Sequence, residues 1–447
     1  MTAYAAVGGL PWPMLLESGG AVHGGRYDVL VADPVCTLIT RDGVTEVWLA
    51  EDRRWRSRAD PLVLLRRVLG PCRAGPAPFA GGAVGWFGYE LGRRFEMLPA
   101  SGQRPSGMPE LAVGIYRWAV VTDHRKRESR MVVQPGAPRS WRQVLERLGG
   151  LARAPSAAPF QPRGRLRTSL DRCAYARAFE RVARYIRDGD CYQVNLAMGF
   201  ETAVRGDPVT AYAWLRRRSP APYGALLSVP WGTVLSNSPE GFLRVRGRRV
   251  ETRPIKGTRP RGVDPADDRG QRRALRESIK DRAENVMIVD LLRNDLGRSC
   301  RPGSIHVPEL CALESYANVH HLVSTVRGEL APERDALDLL RGCFPGGSIT
   351  GAPKRRAMQI IAQLEPWERG VYCGAVGWLG FDGSMELSLA IRTALHQGTA
   401  LEGRLRFWAG GGLVADSVLD QEYQECLDKA RVMMELAGQT PAADTAR

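Results

Sequence analysis

Residues 236–258, SNSPEGFLRVRGRRVETRPIKGT, constrain the fold more than any other stretch of the chain. They read as two strands reversed at Gly247-Arg248, because glycine as the first residue of a two-residue loop suits a type II′ turn, whose twist matches the strands it joins. An antiparallel hairpin of this kind carries Glu240 and Lys256 at its open end. Register decides how they face, since a one-residue slip turns every side chain to the other side of the sheet. Val245 opposite Val250 sets Glu240 against Ile255, whereas a loop one residue longer sets it against Lys256. Pro254 cannot donate to a ladder and is a candidate for a bulge that would settle the choice; the sequence alone leaves both registers open.

Composition adds weight to Lys256. The chain has 63 Lys and Arg, yet only Lys126, Lys256, Lys280, Lys354 and Lys429 are lysine. Arginine stays charged, whereas a lysine can shed its proton and attack carbon. The plain alternative is a solvated loop cation, the ordinary fate of lysine. The formal net charge is +15. The densest basic runs, RKRESR (125–130) and RPRGVDPADDRGQRR (259–273), are interleaved with acids and carry no aromatic residues at stacking intervals. They predict no nucleic-acid binding, and instead a field that attracts an anionic metabolite.

With 447 residues, 44% of them hydrophobic, the chain has a large core to bury. No run of about 18 apolar residues occurs, and the first twenty residues lack a basic n-region and a small-residue cleavage pattern; the reading is a cytoplasmic protein with no membrane segment. Nine cysteines without C-x-x-C spacing predict reduced, mostly buried thiols.

Three regions follow. Residues 1–150 mix strands (RYDVLVADP, CTLITRDG, TEVWLAED, and a hairpin at Asp123 to Arg127) with helices at PLVLLRRVLG and SWRQVLERLGGLAR. Residues 151–165 are Pro/Ala/Gly-rich and read as a linker. Residues 166–440 open with a helix capped by Ser169 or Asp171, followed by a β-rich run, CYQVNLAMGFETAV, and a helix at DPVTAYAWLRRRS. Asp264-Pro265 starts what reads as one long helix with Glu277, Asp281 and Glu284 on a stripe. Glu422, Glu425 and Lys429 share a face of the last helix. Such carboxylates either solvate their helix faces or share a hard divalent ion, and magnesium suits oxygen ligands. FPGGSITGAPK (344–354) and WAGGGLVADS (408–417) read as glycine-rich loops whose backbone N–H groups suit an anion, or simply as tight turns.

The ordered set GDCYQVNLA (189–197), SNSPE (236–240), PIKGTRPRG (254–262), IVDLLRNDLGR (288–298), VHHLVSTV (319–326), PGGSITGAPK (345–354), SLAIRTA (388–394) and AGGGLVADS with EYQECLDKA (409–430) resembles the chorismate-utilising enzymes, among them anthranilate synthase large subunits and isochorismate synthases. The resemblance implies an α+β fold of two large packed antiparallel sheets flanked by helices, with the active site in the cleft between them. Lysine at position 256, where anthranilate synthases have alanine, points to the branch that aminates chorismate at ring position four to give 4-amino-4-deoxychorismate. It implies Lys256 as nucleophile and Glu240 as general acid. Magnesium falls to Glu284 and Glu425 with Asp281 and Glu422 beside them; His321, Tyr372, Arg392, Lys429 and the amides of Gly410 and Gly412 hold substrate. LLES, GGRY and APY place Ser18, Arg26, Tyr27, Pro222, Tyr223 and Gly224 where family members hold a tryptophan, which is structural or absent in a lysine-type member. No cysteine sits in a glutaminase elbow, so ammonia is expected from a separate glutaminase subunit or from free ammonia. The alternatives are anthranilate synthesis and a basic nucleic-acid-binding protein.

Overall fold

The computed structural model describes residues 2–20, 25–49, 53–72, 75, 78–150, 158–316 and 319–439. Gly24 of the GGRY stretch and residues 151–157 of the expected linker lie outside the described residues.

Among the described residues, two twelve-stranded antiparallel sheets make up the α+β fold. One runs through Gln193–Arg205, Gly403–Leu413, Thr393–Gly398, Gly232–Ser238, Tyr223–Val229, Met14–Glu17 and Tyr27–Val31. The other runs from Ile255–Pro260 through Val319–Glu329, Arg249–Thr252, Gly241–Arg246, Met385–Leu389, Ala375–Gly380 and Gly82–Phe87. Each sheet draws strands from both 1–150 and 166–440: Met14–Glu17 pairs with Tyr223–Val229, and Gly82–Phe87 pairs with Ala375–Gly380. GAVGWF (82–87) and LAVGIY (111–116) are apolar throughout rather than alternating, and every residue of both strands is buried, as expected for strands covered on both faces. All nine cysteines are free, with Cys72 and Cys173 exposed and the rest buried. Among the described residues no helix is long and apolar enough to cross a membrane.

The hairpin takes the two-residue loop, with Val245 opposite Val250. Past Thr252 the second strand leaves its hairpin partner at Arg253-Pro254, where proline has no N–H to give. It continues along Val319–Glu329 in unbroken register, Thr252 facing Val326 and Ile255 facing Val323. The bulge falls at Gly257, not at Pro254: Lys256 faces Leu322, but Thr258 faces His321. Gly257 has φ 79°, and a Cβ there would lie 2.9 Å from both Asp281 Cβ and Leu275 Cδ1. Only glycine combines that backbone with so close an approach to a helix.

Two further sequence expectations change. The long acidic helix is two helices, Pro265–Glu277 and Ile279–Gly297, separated by Ser278. The Ser278 side chain caps the second by accepting from the Asp281 N–H at 3.2 Å, the preferred role of serine at a helix start. Glu277 therefore leaves the stripe and lines a separate surface groove with Ile279, Arg282 and Val286. WAGGGL is the end of the Gly403–Leu413 strand rather than a loop. Its residues beyond Phe407 outrun the neighbouring Thr393–Gly398 strand and, among the described residues, pair only with Gln193–Arg205.

Candidate active site

A cavity of about 840 Å³ opens between the sheets, within the range of small-molecule sites. Strands supply Asn195, Lys256, His321, Gly410 and Gly412; the helices Ile279–Gly297 and Leu419–Leu436 supply Asp281, Glu284, Glu422, Glu425 and Lys429. Glu240, Tyr372 and Arg392 complete the wall. Every residue expected from sequence at the catalytic, substrate and metal positions thus borders one cavity.

Glu240 sits just before the Gly241–Arg246 strand, buried. Burial pushes its carboxyl up to about 7, against the lowering effects of the Lys256 charge, a Ser348 hydroxyl bond and the Ile255 N–H. Burial also lowers the Lys256 ammonium, opposed by Glu284 and Glu240. Lys256 Nζ donates to the Ser348 carbonyl at 3.4 Å, and the Ser348 hydroxyl donates to Glu240 Oε1 at 3.1 Å. Acid and amine are thus joined through a third residue, and their pKa values are pushed toward each other, the arrangement from which proton transfer near neutrality is built.

The carboxyl of Glu240 holds its proton more tightly folded than unfolded. Its contribution to stability is complete below about pH 4.5 and is lost as pH rises through about 7. Glu240→Gln, which cannot ionise, is expected to exceed wild type in unfolding free energy by about 3 kcal/mol at pH 8, with the gap closing toward pH 4.5. Parallel stability curves from pH 4.5 to 8 would contradict the buried-acid reading.

The two histidines separate by strand alternation. His320 is fully buried with its ring between Asp268 and Ser315. His321 borders the cavity, its Nδ1 2.9 Å from Thr258 Oγ1, and burial, followed by the Arg392 charge, lowers it to about 4. It is neutral at working pH. Arg392 has, among the described residues, no carboxylate partner, and burial lowers its pKa. A guanidinium in that position fits an incoming carboxylate. Tyr372 is buried and stacks on Trp408 at 6.2 Å. Lys429 Nζ donates to the Gly410 carbonyl at 3.1 Å.

The acids divide. Asp281 pairs with Arg259 at 3.0 Å, Glu422 with Lys280 at 3.2 Å and Glu425 with Lys429 at 2.7 Å. Although burial pushes Glu425 up, Lys429 holds it below its ordinary value. Glu284 has no cation bonded to it among the described residues; burial raises its carboxyl, and Glu425 and Asp281 add to that. The charges of Lys256 and Lys280 oppose that rise without bonding to it, and the donors around it are hard oxygens, so the set fits a magnesium ion. Among the described residues no three acidic, histidine or cysteine side chains converge into a ready-made cage. A cation there would complete its shell with water or substrate oxygens, which is how magnesium is usually held.

A second cavity, of about 400 Å³, is lined by Ser18, Arg26, Tyr27, Pro222, Tyr223 and Gly224. Arg26 pairs with Asp123 at 2.9 Å and lies over the Tyr27 ring. Pro239 and Ile255 border both cavities.

Sequence reasoning missed two residues of the main cavity. Ser348 belongs to a motif read only for its backbone amides. Asn195, with a buried Oδ1 lacking any partner among the described residues, lies within the GDCYQVNLA motif, where nothing marks it.

Two facing antiparallel sheets enclose a small-molecule cleft that holds a lysine lowered by burial, a buried acid raised by it and the carboxylates of two helices. A family model described as chorismate binding enzyme matches residues 13–435, and the chain belongs to that family. It is 46% identical over 432 residues to aminodeoxychorismate synthase component 1 of Salmonella typhimurium (95% of this chain, 93% of the relative). It is 47% identical over 435 residues to the protein of that name from Klebsiella aerogenes (95% and 94%). The crystal structure of anthranilate synthase component I from Streptococcus pneumoniae superposes with a TM-score of 0.79 at 30% identity, covering 92% of each chain.

Proposed function

We propose that the chain converts chorismate and ammonia to 4-amino-4-deoxychorismate, the large-subunit half of an aminodeoxychorismate synthase. The observation that carries this is Lys256: an amine lowered by burial, joined through Ser348 to an acid raised to about 7. Neutral Lys256 attacks ring position two while the ring double bonds shift and the bond from position four to its hydroxyl breaks. Glu240 protonates that hydroxyl, which leaves as water. Ammonia then adds at position four, the double bonds return, and Lys256 is expelled. Arg392 and Tyr372 bind the enolpyruvyl carboxylate; Lys429 and the backbone at Gly410 and Gly412 bind the ring carboxylate. Glu284 and Glu425, with Asp281 and Glu422 nearby, would hold magnesium, which when bound offsets the charge of the ring carboxylate. His321, neutral and buried at the cavity wall, donates a hydrogen bond near the reacting carbon without adding charge.

Ammonia comes from a partner glutaminase, consistent with the component naming of the relatives. The second cavity is a tryptophan-type site. Tryptophan is expected to raise the melting temperature of the wild type, and Arg26→Ala with Tyr223→Ala to remove that shift; an unchanged shift would place the ligand elsewhere.

The test of function is incubation with chorismate, magnesium and ammonia. p-Aminobenzoate appearing only after a lyase is added supports the reading. Fluorescent anthranilate or a salicylate-type product refutes it.

A further inference from the structure

Ser348 touches both halves of the proposed chemistry. It lies in the buried turn Gly347–Ile349, which is held from several sides. Arg369 Nη1 donates to the Ile349 carbonyl at 2.9 Å, and the Asn195 N–H donates to the Thr350 carbonyl at 2.8 Å. Just beyond the turn, buried Lys354 pairs with Asp295 at 2.8 Å and donates to the Cys343 carbonyl at 2.9 Å. A Cβ on Gly347 would meet Leu291 Cδ2 at 2.3 Å, so the turn is pressed against the helix that carries Asp281 and Glu284. A turn fixed this way holds its own polar groups in place.

A carboxyl has two oxygens, and either can carry its proton. The Ser348 hydroxyl donates to Oε1, which leaves the transferable proton to Oε2. A neutral amine has two N–H bonds and one lone pair, and committing one N–H to the Ser348 carbonyl limits where the lone pair can point. We propose that Ser348 is a positioning residue that keeps the proton of Glu240 on Oε2 and turns the Lys256 lone pair toward the ring, so that attack and loss of the hydroxyl occur together. The proposal rests on the reading of Lys256 as nucleophile and Glu240 as acid. In the step it serves, a bond forms between Lys256 Nζ and ring position two, and the bond from ring position four to oxygen breaks. The Oε2 proton leaves with that oxygen as water, and the proton released by the Lys256 nitrogen restores the carboxyl.

Ser348→Ala deletes the hydroxyl and keeps the carbonyl. Its kcat, and the rate of Lys256 adduct formation from chorismate without ammonia, are expected to fall about 10- to 100-fold, part of the effect of a well-placed proton donor. KM should stay within about threefold, because the hydroxyl acts on the barrier and not on substrate binding. Ser348→Thr, which keeps the hydroxyl, should recover most of the rate. In a Glu240→Gln background Ser348→Ala should add nothing, since the acid it positions is gone. A loss of the same size in that background, a change confined to KM, or an unimpaired alanine variant would overturn the proposal. Should Ser348→Ala fail to fold, Ser348→Cys, which keeps the bulk but donates weakly, carries the same comparison. The wild type is run alongside: if it forms no Lys256 adduct, the functional reading falls and this proposal with it, whereas an adduct that Ser348→Ala forms at full rate removes only the role of Ser348.

Discussion

Lys256→Ala lowers the rate of amination at position four by about a thousandfold or more, the scale on which loss of a catalytic nucleophile acts. Alanine leaves Glu240, the carboxylates and the substrate cations in place, so chorismate still binds and KM changes little. The fold should survive as well. Lys256 forms no ion pair within the salt-bridge range among the described residues, and its one hydrogen bond is the 3.4 Å contact to the Ser348 carbonyl. Burial makes its charged form costly, so replacement removes a cost rather than a support. A melting temperature at or above that of the wild type, together with lost turnover, is the expected pair of results. Activity within tenfold of wild type would mean that ammonia reaches position four without a covalent step.

Glu284→Ala removes magnesium dependence together with activity. Loss of a carboxylate that merely orients a ligand weakens metal affinity about 10- to 100-fold, and loss of a ligand itself should weaken it at least as much. Glu284 is also the charge that most supports the ammonium of Lys256, so its removal favours the neutral amine; reduced activity could then not be blamed on a protonated nucleophile. A readout independent of turnover is available. Saturating magnesium should stabilise the wild type by about 2.7 kcal/mol at a hundredfold excess over Kd, and Glu284→Ala, its affinity at least tenfold weaker, by about 1.4 kcal/mol or less at the same concentration. An equal shift in both proteins would place the ion elsewhere.

What the sequence makes legible is local. Asp171 and Asp207 cap their helices as their positions suggest, and the turn at Gly247-Arg248 takes the two-residue loop that pairs Val245 with Val250. The acids and lysines of the cleft are legible because their residue types and order match a family pattern. Nonlocal pairing is not legible. Nothing in RPIKGTRPRG tells that it lies along VHHLVSTV, because the partner strand is about sixty residues away and any apolar strand satisfies the same alternation. The break at Ser278 hides inside a continuous helical pattern, where serine is tolerated in an interior and preferred at a cap alike. Ser348 escapes notice because its bond to Glu240 joins residues 108 apart, and no periodicity reports such a contact.

The central claim is that Lys256 forms a bond to chorismate. Intact-mass analysis and peptide mapping after incubation with chorismate in the absence of ammonia test it most directly. The expected result is a single adduct, chorismate less water, on the peptide that contains Lys256, discharged when ammonia is added. An adduct on any other lysine, or none in a preparation that turns over once ammonia is supplied, would contradict it.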